Sequence, residues 1–150
     1  MCLAEFTLRP AVQADFPAIR MLIHAVHINP MGLDWRHFLV AVIPEGTLLA
    51  CGQIKPHTDG SRELASIAVQ MTARGQGLAR AIIEALLARE KQRPLYLMCR
   101  ARLEPLYIKF GFRAIKRAEM PPYFQRISRA ERIFNSKAQP QDRLSVMRLD

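Results

Sequence analysis

The sequence predicts an α/β fold built on a twisted, mixed β-sheet, and three stretches carry that prediction. Residues 63–69 (ELASIAV) are small, β-branched or apolar and lack proline, as a strand buried on both faces requires. Leu78, Ala81, Ile82, Ala85 and Leu86 follow at helical spacing and form one apolar stripe, with Arg80, Glu84 and Arg89 outside it. Residues 95–99 supply another apolar strand after Pro94, and a strand–helix–strand unit of this length sets its two strands parallel.

The other elements build outward from that unit. Residues 3–9 read as a first strand that stops at Pro10. Residues 11–26 read as a helix, with Ile19, Leu22, Ile23 and Val26 on one stripe and Asp15 beside Pro17 as a start signal. His24 and His27 lie three apart on it, a spacing that suits two metal ligands, but no third ligand accompanies them and no metal site is expected. Asn29-Pro30-Met31-Gly32 breaks the chain ahead of Trp35, whose ring reads as a packing anchor. Residues 38–43 and 47–55 flank the turn Pro44-Glu45-Gly46 as an antiparallel hairpin, which makes the sheet mixed. Residues 56–61 are loop. Beyond residue 99 the pattern gives a short helix over 101–110, a strand over 112–117 and a basic helical segment from Pro121-Pro122 to about Phe134. A loop over 135–141 and a closing strand over 144–149 complete the chain.

Length and composition fit one domain spanning residues 1–150, half of it hydrophobic, with no repeat or low-complexity linker. The longest apolar run, residues 38–43, falls far short of the ~20 residues a membrane span needs, and Glu5 stands where a secretory leader is basic. A soluble, cytoplasmic protein is expected. Cys2, Cys51 and Cys99 are odd in number and lack C-x-x-C spacing, which argues against a disulfide framework or a zinc site. The net charge of +9 is uneven: seven Lys/Arg balance seven Asp/Glu up to Ala88, and fifteen against six from Arg89 onward supply the excess. That half attracts an anionic ligand or an acidic macromolecule, or is a solvated face. Arg113, Lys116, Arg117, Tyr123, Phe124, Arg126, Arg129 and Arg132 interleave cations with aromatics. Their pattern supports the alternative functional reading, a basic nucleic-acid or acidic-protein binding module that keeps a coenzyme only as a ligand.

Between the central strand and helix lies Arg74-Gly75-Gln76-Gly77-Leu78-Ala79-Arg80. Its glycines permit positive φ and close approach of backbone N–H groups where a helix begins with unsatisfied donors and a positive dipole end. It reads as a phosphate cradle or as a plain helix-start turn. Two rival phosphate loops fail: Gly77 is not followed by Lys-Ser/Thr, and Arg80 replaces the third glycine of a dinucleotide fingerprint. Arg74, Gly77 and Ala79, as Arg-x-x-Gly-x-Ala after a strand ending Ala68-Val69, resemble the central motif of the GNAT superfamily of acyl-CoA-dependent N-acyltransferases. Leu106-Tyr107-Ile108-Lys109-Phe110-Gly111-Phe112 resembles that family's Leu-Tyr-x-x-x-Gly-Phe signature, and the likeness covers most of the chain in order.

The resemblance implies a GNAT-like fold, acetyl-CoA as co-substrate without a metal, and direct transfer of an acetyl group to a primary amine of a small molecule or protein. A monomer or homodimer, with no membrane and no nucleic acid, is the expected setting. By the same resemblance, the backbone of Arg74, Gly75, Gln76, Gly77, Leu78, Ala79 and Arg80 takes the pyrophosphate. The main chain of Ile67, Ala68 and Val69 pairs with the pantetheine arm as an added strand, with the N–H of Ile67 or Val69 facing the thioester oxygen. Tyr107 occupies the position of the acid that protonates the leaving thiolate; a packed core tyrosine is the other reading. The run from Glu63 to Val69 resembles the Glu-x-Ala-x-x-Ala-Val of lysine acetyltransferases in the family, which implies Glu63 as base. At ~3.3 Å per residue Glu63 lies ~13 Å from Ile67, so a bridging water is required. A solvated strand end is the other reading of Glu63, and His57 is the other candidate base. Where many relatives have asparagine after the strand matching residues 95–99, this chain has Cys99-Arg100-Ala101-Arg102. Cys99 reads as a buried thiol, and an acidic acceptor cleft would draw on Glu63, Asp34 and Glu104.

Overall fold

The computed structural model describes residues 5–150; Cys2 and the first residues of the strand expected from residue 3 lie outside them. The strands are β1 (Thr7–Pro10), β2 (Phe38–Val42), β3 (Leu48–Pro56), β4 (Arg62–Val69), β5 (Leu95–Arg100), β6 (Arg113–Ala114) and β7 (Leu144–Leu149). The helices are α1 (Phe16–Ala25), α2 (Leu78–Arg89), α3 (Glu104–Ile108) and α4 (Pro122–Phe134). The strands form one mixed sheet in the order β1-β2-β3-β4-β5-β7-β6. The chain divides into two compact units, one built from the chain up to Lys55 with Leu64–Lys91, the other from Pro56–Glu63 with Gln92–Asp150. No helix among the described residues is long and apolar enough to cross a membrane.

In the first unit β1 pairs antiparallel with β2, from Thr7↔Val42 to Pro10↔Leu39, and β2 with β3 from Phe38↔Gln53. The register shifts between Ala41 and Val42, where the strand expected to reach residue 43 ends. α1 buries Ile19, Leu22 and Ile23 against Phe38, Val40, Cys51 and Ala68, with Trp35 packed at the edge of that cluster. A 3-10 turn over Gln13–Asp15, opened by the Asp15 carboxylate accepting from the Val12 N–H at 2.8 Å and held by Arg9 at 2.7 and 3.0 Å, leads into α1, which therefore starts at Phe16 rather than near residue 11. It ends at Ala25. His27, at φ 59°, lies past the helix in a left-handed cap where the Ile28 N–H donates to the Ile23 carbonyl at 3.1 Å. His24 and His27 therefore lack the helical relation that the spacing suggested.

Successive β3 residues point to opposite faces, and this places α1 and α2 on the two sides of the sheet in this unit. Cys51 belongs to the α1 cluster, whereas a Cβ built on Gly52 would lie 2.6 Å from both Ile67 Cδ1 and Ile82 Cγ2, and 3.1 Å from Leu86 Cδ1. Glycine at 52 is thus what lets α2 sit down on β3 and β4.

In the second unit β5 pairs antiparallel with the whole of β7, from Leu95↔Leu149 to Arg100↔Leu144, and Glu63 of β4 pairs parallel with Tyr96. Tyr96, Ile115, Phe124 and Val146 form its buried cluster. The helix expected over 101–110 is a 3-10 turn followed by five residues of α3, with Pro105 in the first turn. β6 is two residues long instead of six. Phe112 and Ile115 are buried while Arg113 and Ala114 are exposed, so the alternation that a longer strand needs is missing.

Because any side chain at residue 52 collides with packed isoleucines, Gly52→Ala should lower unfolding stability by about 1–3 kcal/mol. Urea denaturation checks this, and an unchanged midpoint would mean that the α2 face has slack.

Candidate active site

β4 delivers the backbone expected to meet the coenzyme. Midway along it Ser66 adopts φ 60°, a left-handed conformation that costs a non-glycine residue about 1–2 kcal/mol. The residue is held there by its neighbours on β3: Gln53 Nε2 donates to Ser66 Oγ at 2.8 Å and the Cys51 thiol donates to the Ser66 carbonyl at 3.6 Å. Gln53 is fully buried, and its Oε1 has no partner among the described residues. Neither Gln53 nor the strain at Ser66 is visible in the sequence, since a polar residue inside an apolar strand reads as an interruption. The Ile67 side chain packs over Gly52 and Ala68 joins the α1 cluster, so both side chains are engaged in packing.

Past Val69 the Gln70 N–H and Nε2 donate to the carbonyls of Leu49 and Leu48, each at 2.8 Å, and a 3-10 turn over Met71–Ala73 leads to Arg74. Gly75 and Gly77 then take φ 78° and 83°. A Cβ on either would meet nothing within 4 Å, so conformation rather than crowding calls for glycine, and the space beside the turn is open. Gly77 is the N-cap of α2 with no side-chain cap; its carbonyl accepts from the Ala81 N–H at 3.0 Å. The first-turn N–H groups of α2 lack intrahelical acceptors at its positive end, an arrangement that fits a phosphate. Leu78, at 1% exposure, anchors the helix start in the core. Arg74 is exposed, and Arg80 Nε pairs with Glu84 Oε1 at 2.8 Å on the surface, a bond worth little against an incoming anion.

In the second unit Tyr107 lies on α3, half-buried, edge-on to Phe112 with ring centroids 6.3 Å apart. Burial, and secondarily Cys99, push its phenol up to about 12. Burial likewise raises the thiols of Cys51 and Cys99, to about 12 and about 11, so both are protonated at neutral pH and poor nucleophiles.

Glu63 and His57, read separately as rival bases, form one unit. His57 Nε2 and Glu63 Oε1 are 2.8 Å apart, and their side chains are only 8% and 5% exposed, which corrects the reading of Glu63 as a solvated strand end. The Tyr123 ring stacks on the imidazole with centroids 3.6 Å apart and planes 19° apart, and Phe124 meets it edge-on at 5.6 Å. Asp59 ties the ensemble together: one carboxylate oxygen accepts from the Ser61 N–H at 2.9 Å and hydroxyl at 2.5 Å, the other from the Tyr123 N–H at 3.0 Å. Pro121-Pro122 marks the start of α4 in the sequence, but nothing there says that the next residue covers a loop more than sixty positions earlier.

The other expected groups are also accounted for. Asp34 caps the 3-10 turn at Trp35 through the Arg36 N–H at 3.0 Å and pairs with the Arg36 guanidinium. Arg100 binds Glu131 at 2.5 Å and the Asp142 carbonyl at 3.2 Å, and Arg102 pairs with Asp142, so both arginines in the place of the expected asparagine brace the segment before β7. Of the aromatics interleaved with cations, Phe124 is wholly buried and Tyr123 lies on His57, which withdraws both as stacking platforms for bases. Among the described residues there is no group of three His, Cys, Asp or Glu able to hold a metal ion.

No curated protein matches the sequence. Among solved structures, N-acetylglutamate synthase from Neisseria gonorrhoeae, complexed with coenzyme A and N-acetyl-glutamate, is similar at TM-score 0.76 and 16% identity, over 98% of this chain and 35% of that one. The present chain thus spans about a third of that synthase. A Mycobacterium tuberculosis protein in complex with CoA matches at TM-score 0.70 and 24% identity, over 95% and 98% of the two chains. An acyl-CoA N-acyltransferase from Pseudomonas aeruginosa matches at TM-score 0.67 and 22% identity, over 97% and 99%. These likenesses show a shared fold. The family model described as Acetyltransferase (GNAT) domain matches residues 34–114, more than half the sequence and both motifs, and the chain therefore belongs to the GNAT acetyltransferases.

Proposed function

We propose that the protein transfers an acetyl group from acetyl-CoA to a primary amine of a small molecule or protein by direct attack. The observation that carries this reading is the uncapped start of α2, where two left-handed glycines leave helix-terminal amides beside open space. Coenzyme A in the solved structures of similar fold, one of them also holding N-acetyl-glutamate, supports it. Acetyl-CoA supplies an acyl group activated as a thioester. The backbone of residues 74–80 holds its pyrophosphate, with Arg74 and Arg80 adding charge, and the main chain of Ile67, Ala68 and Val69 pairs with the pantetheine arm.

An amine of pKa near 10 arrives as ammonium and must lose a proton before attack. Glu63, reached through a water and hydrogen-bonded to His57, is the base; the 2.8 Å bond lets the pair act together. Tyr107, kept protonated by burial, gives its proton to the departing sulfur.

Calorimetry should register saturable binding of coenzyme A, weakened about tenfold or more by Gly77→Val, whose branched side chain strains the left-handed turn and crowds the amides. Absence of binding to the wild type overturns the reading. In a thiol-release assay across a panel of amines, Tyr107→Phe, Glu63→Gln and His57→Gln should each lower kcat by about 10²-fold or more. If Glu63 and His57 act as one unit, the double variant should be little slower than the worse single one, whereas multiplicative losses assign them separate jobs. The pH dependence follows from Tyr107: raised to about 12, it keeps its proton through the working range, so no alkaline fall in kcat below about pH 11 should disappear in Tyr107→Phe. A fall near pH 10 that the variant abolishes contradicts the assigned environment.

A further inference from the structure

The second unit contains a pocket that the acyl-transfer reading does not use. It has a volume of about 360 Å³ and is lined by Ser128, Glu131 and Arg132 of α4, by Asn135 and Ser136 just past that helix, and by Arg143 on the way into β7. Its one acid is already engaged. Glu131 Oε1 accepts from Arg100 Nη1 at 2.5 Å and from Asn135 Nδ2 at 2.6 Å, and these bonds hold its carboxyl below the usual range. The guanidinium groups of Arg132 and Arg143, in contrast, make no ion pair or hydrogen bond among the described residues. The acid next to Arg143 in the chain, Asp142, is spent on Arg102.

With the Glu131 carboxylate of the lining bonded to Arg100 and Asn135, Arg132 and Arg143 are like charges along one depression, and an anion between them offsets their repulsion. Guanidinium forks match the oxygens of phosphate and carboxylate, and the Ser128 and Ser136 hydroxyls add donors at the same lining. The volume stands at the small end of small-molecule sites and is too little for a nucleic-acid strand. We propose that this pocket binds a small oxyanion, the phosphate or carboxylate group of a metabolite, between Arg132 and Arg143. The inference stands on these residues alone and does not depend on the acyl-transfer reading.

The test is calorimetry on the whole protein at low ionic strength, with inorganic phosphate in one arm and citrate in the other. Saturable binding of at least one anion is expected, and the comparison tells phosphate from carboxylate. The double variant Arg132→Gln, Arg143→Gln should weaken it about tenfold or more, and Arg129→Gln, on the same helix outside the pocket, should leave it unchanged. Both substitutions remove exposed, unpaired side chains, and an unchanged thermal midpoint verifies that the variants are folded. No binding of either anion overturns the proposal, as does an equal loss in Arg129→Gln, which would mark a diffuse basic surface. Coenzyme A affinity should be the same in the double variant and the wild type; a matching loss would assign the two arginines to the coenzyme and overturn a separate site.

Discussion

An α-helix that starts without a side-chain cap presents N–H groups for which its own backbone has no acceptor, and α2 starts this way because Gly77 stands at φ 83° with no side chain to fold back. The same residue's carbonyl closes the first helical turn, and Leu78 directly after it is buried, so the helix start is firmly seated while its donors remain uncommitted. Gly52 contributes from within the same unit. By having no Cβ it admits Ile82 and Leu86 against β3, and thereby determines where the uncapped end of α2 comes to rest.

Elsewhere the molecule spends stability on buried polar groups. Ser66 is held left-handed within β4, Gln53 beside it leaves one oxygen unpartnered, and both are screened from solvent. Such strain persists only where the surroundings overdetermine it. The Glu63–His57 pair is also desolvated, but its hydrogen bond, the Tyr123 ring and the Asp59 braces hold it locally, so its geometry is set by packing.

The positive charge of the C-terminal half resolves into distinct uses. Arg100, Arg102, Arg113 and Arg148 are held in ion pairs, several of them bracing the chain around β7. Arg132 and Arg143 are not. A net charge alone fits a solvated face, a nucleic-acid surface and a discrete anion site equally well; what separates these is which cations have partners and whether the aromatics between them are free. With Phe124 buried and Tyr123 stacked on a histidine, the stripe loses the features of a base-stacking surface and keeps those of a local site.

The amino-acid sequence by itself determined the parts of the protein whose signals are local. Helical periodicity gave α2, proline and glycine punctuation gave the β2–β3 hairpin and the start of α4, and the two motifs around Gly77 and Tyr107 pointed to the family. Boundaries were less legible: a 3-10 turn over Gln13–Asp15 precedes α1, and the buried pair Phe112 and Ile115 cuts β6 to two residues. Only the tertiary structure joined His57 to Glu63 and laid Tyr123 over them, held Ser66 through Gln53, and left Arg132 and Arg143 unpaired along one pocket. Those relations arise from side chains brought together across many positions, where desolvation and hydrogen-bond partners are decided by packing that no local periodicity encodes.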